Sequence, residues 1–182
     1  MKRAFVSTAL AGALTTGVAL AHPHFNKTVT VTLPDGPEAT ITYNTTPANE
    51  TRAANVPVGT FVTPRRPTLK LAGEVKAGSV SIPAGEYTIG VVKNSDKDWT
   101  MALYPGAPPR EGAPDMAKVV KLESQFSVDH GVAEHMLIDI TPGIGAFEGR
   151  AVLTLHFGNL FLAGALSPAA PAPAPTARPT AR

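Results

Sequence analysis

The amino-acid sequence predicts an all-β protein, a single-domain antiparallel β-sandwich of jelly-roll type or a related barrel. Three observations predict this class: short apolar–polar alternations, turn-forming residues between them, and 16 glycines and 18 prolines, too many for a helical bundle. The first two alternations are KTVTVTL and EATITY, with PDGP between them. Because PDGP combines strong turn formers, we expect these two segments to pair as a β-hairpin.

Most of the remaining chain continues this pattern of strands and turns. We expect strands in TLKLAGEV, SVSIP, YTIGVV, WTMALY, KVVKLESQFSV, EHMLIDI, RAVLTLHF and LFLAGAL. Residues 44–57 and 105–114 lack periodicity and are predicted to be long connecting loops. Only residues 114–120 have any helical character, and that segment is short. Short strands at this spacing favour a sandwich.

The two ends of the chain differ in composition from this domain. Residues 1–21 resemble an export signal, because a basic KR pair precedes an apolar stretch and the small residues ALA end it at Ala21. The apolar stretch is too short for a comfortable membrane span. Residues 167–182 are rich in proline and alanine and are predicted to be a disordered tail. We therefore expect one domain, residues 22–166, located in the periplasm or secreted.

Charge and cysteine content exclude several classes of function. The chain has 16 basic and 14 acidic residues, and loss of Lys2 and Arg3 with the signal leaves 14 of each. This balance, without a basic block, gives no case for nucleic-acid binding. The sequence contains no cysteine, which excludes disulfides, thiolate metal sites and a cysteine nucleophile. No membrane span is expected once the signal is removed.

The central part of the chain resembles a known family. In AGSVSIPAGEYTIGVVKNSDKDWTMALY, a glycine turn and a short strand precede Pro83-Ala84-Gly85-x-Tyr87, followed by an extended run and Trp99. The closing segment GRAVLTLHFGNLFLAGAL contains the aromatic–glycine pair Phe157-Gly158. Together these features resemble the secreted bacterial domain-of-unknown-function family 2911 (DUF2911), over roughly residues 28–166. The resemblance implies a compact exported β domain and supplies no reaction.

The chain departs from the family pattern before Leu69. Family members often carry a Trp-Arg-x-Gly stretch there, whereas this sequence has FVTPRRPTLKL. Arg65 or Arg66 at best stands in for the family's arginine. The large rings of Tyr87 and Trp99 are predicted to pack in the core with a polar edge outward.

Two histidines directly follow the predicted cleavage site. Cleavage after Ala21 would make His22 the N-terminal residue, whose amine and ring nitrogen can chelate one metal ion. This arrangement resembles the histidine brace of copper monooxygenases and copper carriers, and nitrogen ligands suit Cu(II). His24 suggests a rival copper motif with histidine at position three. That motif needs the amide N–H of the second residue, which Pro23 lacks.

A brace needs a further ligand from the body of the fold, and His130, His135 and His156 are available. His135 and His156 each lie on the less apolar face of a predicted strand. Pairing Thr141 with Arg150, in a hairpin around PGIGAFEG, would place His135 opposite His156 with Cβ atoms about 5 Å apart. The candidate metal ligands are therefore His22, His24, His135 and His156, and copper is the candidate cofactor.

The residues leave three functions open. The first is a non-enzymatic binding or structural module whose ligand and partners the sequence does not name, because isolated histidines on strands are commonly plain surface residues. The second is a periplasmic copper-binding protein that uses the mature N-terminal histidine. The third, a hydrolase, has the least support: Ser127, Asp129 and His130 crowd into SVDHG, whereas catalytic triads are assembled in space.

Overall fold

Two antiparallel sheets make up most of the structure, a computed structural model that describes residues 24–169. Strands account for 55% and helices for 8% of it, which confirms the predicted all-β sandwich. The predicted signal segment, His22 and the chain from residue 170 onward lie outside the described residues. Within residues 24–169, no helix is both long and apolar enough to cross a membrane.

The described chain forms thirteen strands, one α-helix and two 3-10 turns. In chain order they are β1 (Asn26–Thr32), β2 (Glu38–Asn44), α1 (Glu50–Ala54), β3 (Phe61–Val62), β4 (Thr68–Leu71), β5 (Val75–Ala77), β6 (Val80–Ile82), β7 (Gly85–Ser95), β8 (Asp98–Pro105), a 3-10 turn (Met116–Lys118), β9 (Val120–Lys121), β10 (Ser124–Ser127), β11 (Ala133–Pro142), a 3-10 turn (Gly145–Phe147), β12 (Ala151–Gly158) and β13 (Leu160–Pro168).

The hydrogen-bonding partners divide the strands into two sheets. The first sheet has the order β1-β2-β4-β7-β8-β9, with β3 also paired to β7. The second has the order β11-β12-β13-β5-β6, with β10 also paired to β13. Because β5 and β6 lie between β4 and β7 in the chain but belong to the second sheet, the backbone crosses from one sheet to the other and back. This crossing ties the two sheets together.

The predicted hairpin is present at the start of the first sheet. Strands β1 and β2 pair along their whole length, from Asn26 with Asn44 to Thr32 with Glu38. In the turn, Asp35 has a φ of 49°, a left-handed conformation that aspartate tolerates better than most residues. The PDGP signal therefore placed the turn correctly.

One apolar core lies between the sheets and draws side chains from both. The inward-facing residues with the least exposure include Ile41, Leu69, Ile89, Ile138, Leu153 and Leu162. Full burial of each such side chain contributes roughly 1.5–3 kcal/mol. Tyr87 and Trp99 are also buried, which confirms their predicted packing role. The Tyr87 hydroxyl donates a hydrogen bond to the backbone oxygen of Pro83 at 2.8 Å, and burial raises the pKa of that phenol.

Three local features differ from the sequence-based expectation. The predicted loop at residues 44–57 contains the helix α1, whose N-cap Asn49 accepts a hydrogen bond from the backbone N–H of Arg52. The segment with helical character, residues 114–120, contains only a single 3-10 turn. Strand β13 extends to Pro168, two residues beyond the expected domain boundary, because Ser167 and Pro168 pair with β5.

The predicted pairing of His135 with His156 is wrong. Strands β11 and β12 do form the expected hairpin, but Thr141 pairs with Val152 rather than Arg150. His156 therefore lies opposite Leu137. Because the shift is of two residues, the side chains from Leu137 to Pro142 stay on their predicted faces. The β11 strand is irregular between Ala133 and Leu137, and His135 forms a backbone bridge with Pro47 instead of pairing with β12.

Gly90 on β7 offers a direct test of how closely β3 packs on the first sheet. A Cβ atom at this position would lie 2.5 Å from the backbone oxygen of Val62 and 2.5 Å from the Phe61 ring. Because backbone atoms cannot yield to such a contact, we expect Gly90→Ala to lower the free energy of unfolding by about 1–3 kcal/mol. Urea denaturation measures this loss.

Gly164→Ala is the matched control for this substitution. It also places a Cβ atom on a strand, but the nearest atom, the backbone oxygen of Glu123, lies 3.3 Å away. We expect a clearly smaller loss of stability. Equal losses in the two variants would contradict the packing of β3 described above.

Candidate ligand-binding site

A pocket of about 510 Å³ opens at one end of the sandwich, between the two sheets. Its volume is within the range of small-molecule sites in proteins. The first sheet contributes Val62, Val91 and Trp99 to its walls, and the second sheet contributes apolar residues of β12 and β13. The pocket is therefore an extension of the apolar core that side chains of the protein do not fill.

The second-sheet wall is made by four large apolar side chains. They are Leu155, Phe157, Leu160 and Leu162. Leu162 is almost fully buried, whereas Phe157 and Leu160 are only partly buried and pack against the core from its edge. The wall is therefore formed by apolar side chains from the core to the pocket surface.

The rim of the pocket is built by two segments outside the sheets. The first contains Asn49, Arg52 and Ala53 of the α1 region, and the second is the turn between β3 and β4, which contains Arg65. Arg52 and Arg65 are both exposed, and no carboxylate lines the pocket. Among the described residues, neither guanidinium has an ion-pair partner or a side-chain hydrogen bond.

The rim turn holds two successive arginines in a left-handed backbone conformation. Arg65 has a φ of 58° and Arg66 a φ of 50°. For residues with a Cβ atom this conformation costs roughly 1–2 kcal/mol each, and such strain commonly occurs at ligand-binding sites. The two side chains have different surroundings. Arg65 lines the pocket, whereas Arg66 Nη2 donates a hydrogen bond to the backbone oxygen of Pro109 at 3.0 Å.

A buried lysine fixes the helical side of the rim. The Lys93 side chain is 4% exposed, and its Nζ donates to the backbone oxygen of Ala54 at 2.8 Å, at the end of α1. The same ammonium lies 2.8 Å from Asp96 Oδ1 and 5.8 Å from the centre of the Trp99 ring. Lys93 therefore connects α1, the β7–β8 hairpin and the pocket wall.

Two of the predicted metal ligands lie beside the same short segment. His24 is exposed, and its Nδ1 donates to the backbone oxygen of Thr45 at 3.3 Å. His135 forms an isolated backbone bridge with Pro47. Two adjacent backbone hydrogen bonds hold the strand there, from the N–H of Met136 to the oxygen of Thr46 and from the N–H of Ala48 to the oxygen of Glu134, each at 2.8 Å. His22 lies outside the described residues.

The fourth predicted ligand, His156, belongs to a different group of side chains. Its ring meets the Phe161 ring edge-on at 5.4 Å, and its Nε2 donates to the backbone oxygen of Gly131 at 3.3 Å. His130 stacks on the same ring at 4.1 Å. His156 pairs directly with Phe161 because a tight turn joins β12 to β13. The dipeptide Gly158-Asn159 in the sequence indicates this turn.

The described residues contain no cluster of three or more His, Asp, Glu or Cys side chains that would hold a metal ion. The crowded SVDHG segment forms a local turn, in which Ser127 Oγ accepts a hydrogen bond from the backbone N–H of Asp129 at 3.1 Å. Its histidine, His130, stacks on Phe161 instead. The segment therefore has the hydrogen bonding of a turn.

No protein-family model, curated protein or solved structure matches this chain. The similarity to DUF2911 therefore stays a prediction from the sequence pattern. Any function must be argued from the pocket, its rim and the histidines themselves.

Sequence reasoning identified several pocket residues without recognising the pocket. Trp99 was expected only as a packing residue, and Arg65 only as a possible stand-in for a family arginine. The helix that carries Arg52 was missed, although Asn49 is a good N-cap residue and signals a helix start. The left-handed conformation of Arg65 has no signal in the sequence, because arginine seldom adopts it.

The Lys93–Asp96 pair predicts a pH dependence of stability. The hydrogen bond from Lys93 and its positive charge hold the pKa of Asp96 below its usual value. A carboxyl whose pKa is lower in the folded state stabilises the fold above its unfolded pKa, about 4, and loses this effect as the pH falls through the lower folded value. We expect Asp96→Asn to be less stable than the unaltered protein at neutral pH, and this difference to shrink in acid.

Urea denaturation of both proteins at neutral pH and at about pH 3 measures the difference. The effect is small because Asp96 is 89% exposed. Asp129→Asn is the control, since Asp129 has no ion-pair partner among the described residues. A difference between Asp96→Asn and the unaltered protein that is the same at both pH values would contradict the assignment.

Proposed function

We propose that this chain is an exported, non-enzymatic binding protein that holds a small ligand with an apolar body in the pocket between its sheets. The observation that carries the proposal is the pocket itself, about 510 Å³ enclosed mainly by apolar side chains. Contact between apolar surface of this kind and water is unfavourable. A ligand that covers this surface removes the unfavourable contact, which favours binding. Export rests on the basic and apolar pattern of residues 1–21.

The position of the pocket supports a preformed site. Val91 and Trp99 lie on the central strands β7 and β8, and Leu155 lies on β12. These strands are fixed by the sheet hydrogen bonds and by the core, so that little order has to be gained on binding. Preformed sites lose less conformational entropy when a ligand binds.

Trp99 provides a direct optical test, because it is the only tryptophan in the chain and it lines the pocket. We expect a neutral apolar probe, 1-decanol, to change Trp99 fluorescence in a saturable manner with one site per chain. Ala53→Phe fills the pocket from the rim and should abolish this change. Ala54→Phe adds the same ring on the next residue of α1, whose side chain does not line the pocket, and should leave the titration unaltered.

Circular dichroism and urea denaturation of both variants establish that each remains folded. Loss of the signal in both variants, or in neither, would contradict binding in this pocket. An absence of saturable binding in the unaltered protein would contradict the proposed function.

A second candidate, copper binding at the N-terminus, is favoured by one specific observation. His24 contacts Thr45, and His135 bridges Pro47, two residues further along the same segment. His22 precedes His24 by two residues, which corresponds to a reach of about 7 Å for extended chain. A bidentate His22 and the ring of His135 are therefore the ligands that we propose for Cu(II).

A Cu(II) titration followed by electron paramagnetic resonance tests this candidate on protein whose first residue is confirmed as His22 by mass. We expect one tightly bound ion with a nitrogen-ligand spectrum. Adding one residue before His22 should abolish this binding, because the amine is displaced. His135→Asn should weaken it by more than about ten-fold, the usual loss for a removed ligand or its direct support.

His156→Asn is the matched control for the copper experiment, since its ring lies against Phe161 and Gly131. It should bind Cu(II) as the unaltered protein does. Weak binding that is equal with and without the extra N-terminal residue would contradict the brace, and equal losses in the two histidine variants would contradict the choice of His135.

A further inference from the structure

We infer that the ligand of the pocket is an amphipathic anion, with its apolar body against Trp99 and a terminal carboxylate between Arg52 and Arg65. This inference rests on the proposed function and specifies the class of ligand. Apolar walls alone would bind a neutral apolar molecule as readily as an amphipathic anion. The selectivity comes from the charges at the rim.

The charged residues at the rim of the pocket are all positive. Arg52 and Arg65 are the charged residues among those that line the pocket, and both are positive. Neither guanidinium has a carboxylate partner in the described part of the chain. The pocket mouth therefore has two positive charges that a ligand with a negative end would balance. A ligand with a positive end would meet repulsion from both.

The chemistry of the guanidinium group favours a carboxylate in particular. Its planar set of N–H donors matches the two oxygens of a carboxylate, with shorter and stronger hydrogen bonds than neutral groups make. The two arginines come from different elements, Arg52 from α1 and Arg65 from the turn between β3 and β4. A carboxylate at the pocket mouth could thus accept hydrogen bonds from guanidinium groups on two different segments.

The construction of the rim supports a role for these two positions. The backbone of Arg65 is held in a left-handed conformation, so that an unfavourable local geometry is maintained at the pocket mouth. On the other side, Lys93 holds the end of α1 by its hydrogen bond to Ala54. Both arginines are therefore presented by segments with fixed backbones while their side chains stay exposed.

Three probes that share one alkyl chain separate the contributions of the apolar body and the charge. They are decanoate, 1-decanol and decyltrimethylammonium, each titrated at neutral pH and low salt with Trp99 fluorescence. We expect decanoate to bind at least about ten-fold more tightly than 1-decanol, which corresponds to charge interactions with two exposed arginines. Decyltrimethylammonium should bind most weakly, and added salt should reduce the preference for decanoate.

Variants of single arginines show which residues cause the preference for decanoate over 1-decanol. Arg65→Asn removes the charge with a residue that tolerates the left-handed conformation, and Arg52→Gln removes the other charge on the helix. Each should weaken decanoate binding about three- to five-fold and weaken 1-decanol binding by a clearly smaller factor, so that the preference for decanoate falls. Arg66→Asn is the matched control: the same substitution, at an adjacent left-handed residue whose side chain contacts Pro109 instead. It should change decanoate binding less than two-fold, roughly the limit for a screened distant charge.

The outcomes distinguish the two proposals. Equal affinity for decanoate and 1-decanol, both abolished by Ala53→Phe, would overturn the inference about charge and leave the pocket as a binding site. Equal losses in Arg65→Asn and Arg66→Asn would overturn the assignment of Arg65 and indicate a general effect of net charge. Failure of all three probes to bind would overturn the proposed function and the inference together.

Discussion

The burial of the two inner sheet faces against each other is the interaction on which the rest of this structure depends. The main core cluster contains residues from both sheets, and no disulfide assists it because the chain has no cysteine. Stability therefore depends on the match between apolar alternation and sheet pairing. The pocket has the same origin: at one end of the sandwich, β7 and β8 face β12 and β13 across a space that the side chains of the core leave open.

The rim of the pocket contains polar and strained features, and the core offsets their cost. Lys93 is a buried cation, which is tolerated because its ammonium has a backbone oxygen, a carboxylate and an aromatic ring as neighbours. Arg65 and Arg66 add left-handed strain in the adjoining turn. Such features are retained where the surrounding structure fixes them. Here the surrounding structure consists of the first sheet, whose β3–β7 pairing also places Phe61 directly over Gly90.

The apolar pocket and His135, the described member of the proposed copper site, are linked through one loop, although their chemistry differs. Thr46 and Pro47 line the apolar pocket, and the same two residues form the backbone contacts to β11 at Met136 and His135. The polar loop between β2 and α1 thus joins the pocket to the histidine that we propose as a copper ligand. The other pair of histidines, His130 and His156, is grouped around Phe161 by ring contacts.

The sequence by itself determined the fold class, the first hairpin, the burial of Tyr87 and Trp99, and the face of His156, because these follow from alternation and turn chemistry over a few residues. It did not determine the register of β11 on β12, since a two-residue slip preserves every face and the irregularity near Ala133 has no local signal. Only the tertiary structure revealed the pocket and brought Arg52 and Arg65 to its rim. Both residues line one pocket because two separate connections border it. Such an arrangement depends on sheet packing over the whole domain and on no single stretch of chain.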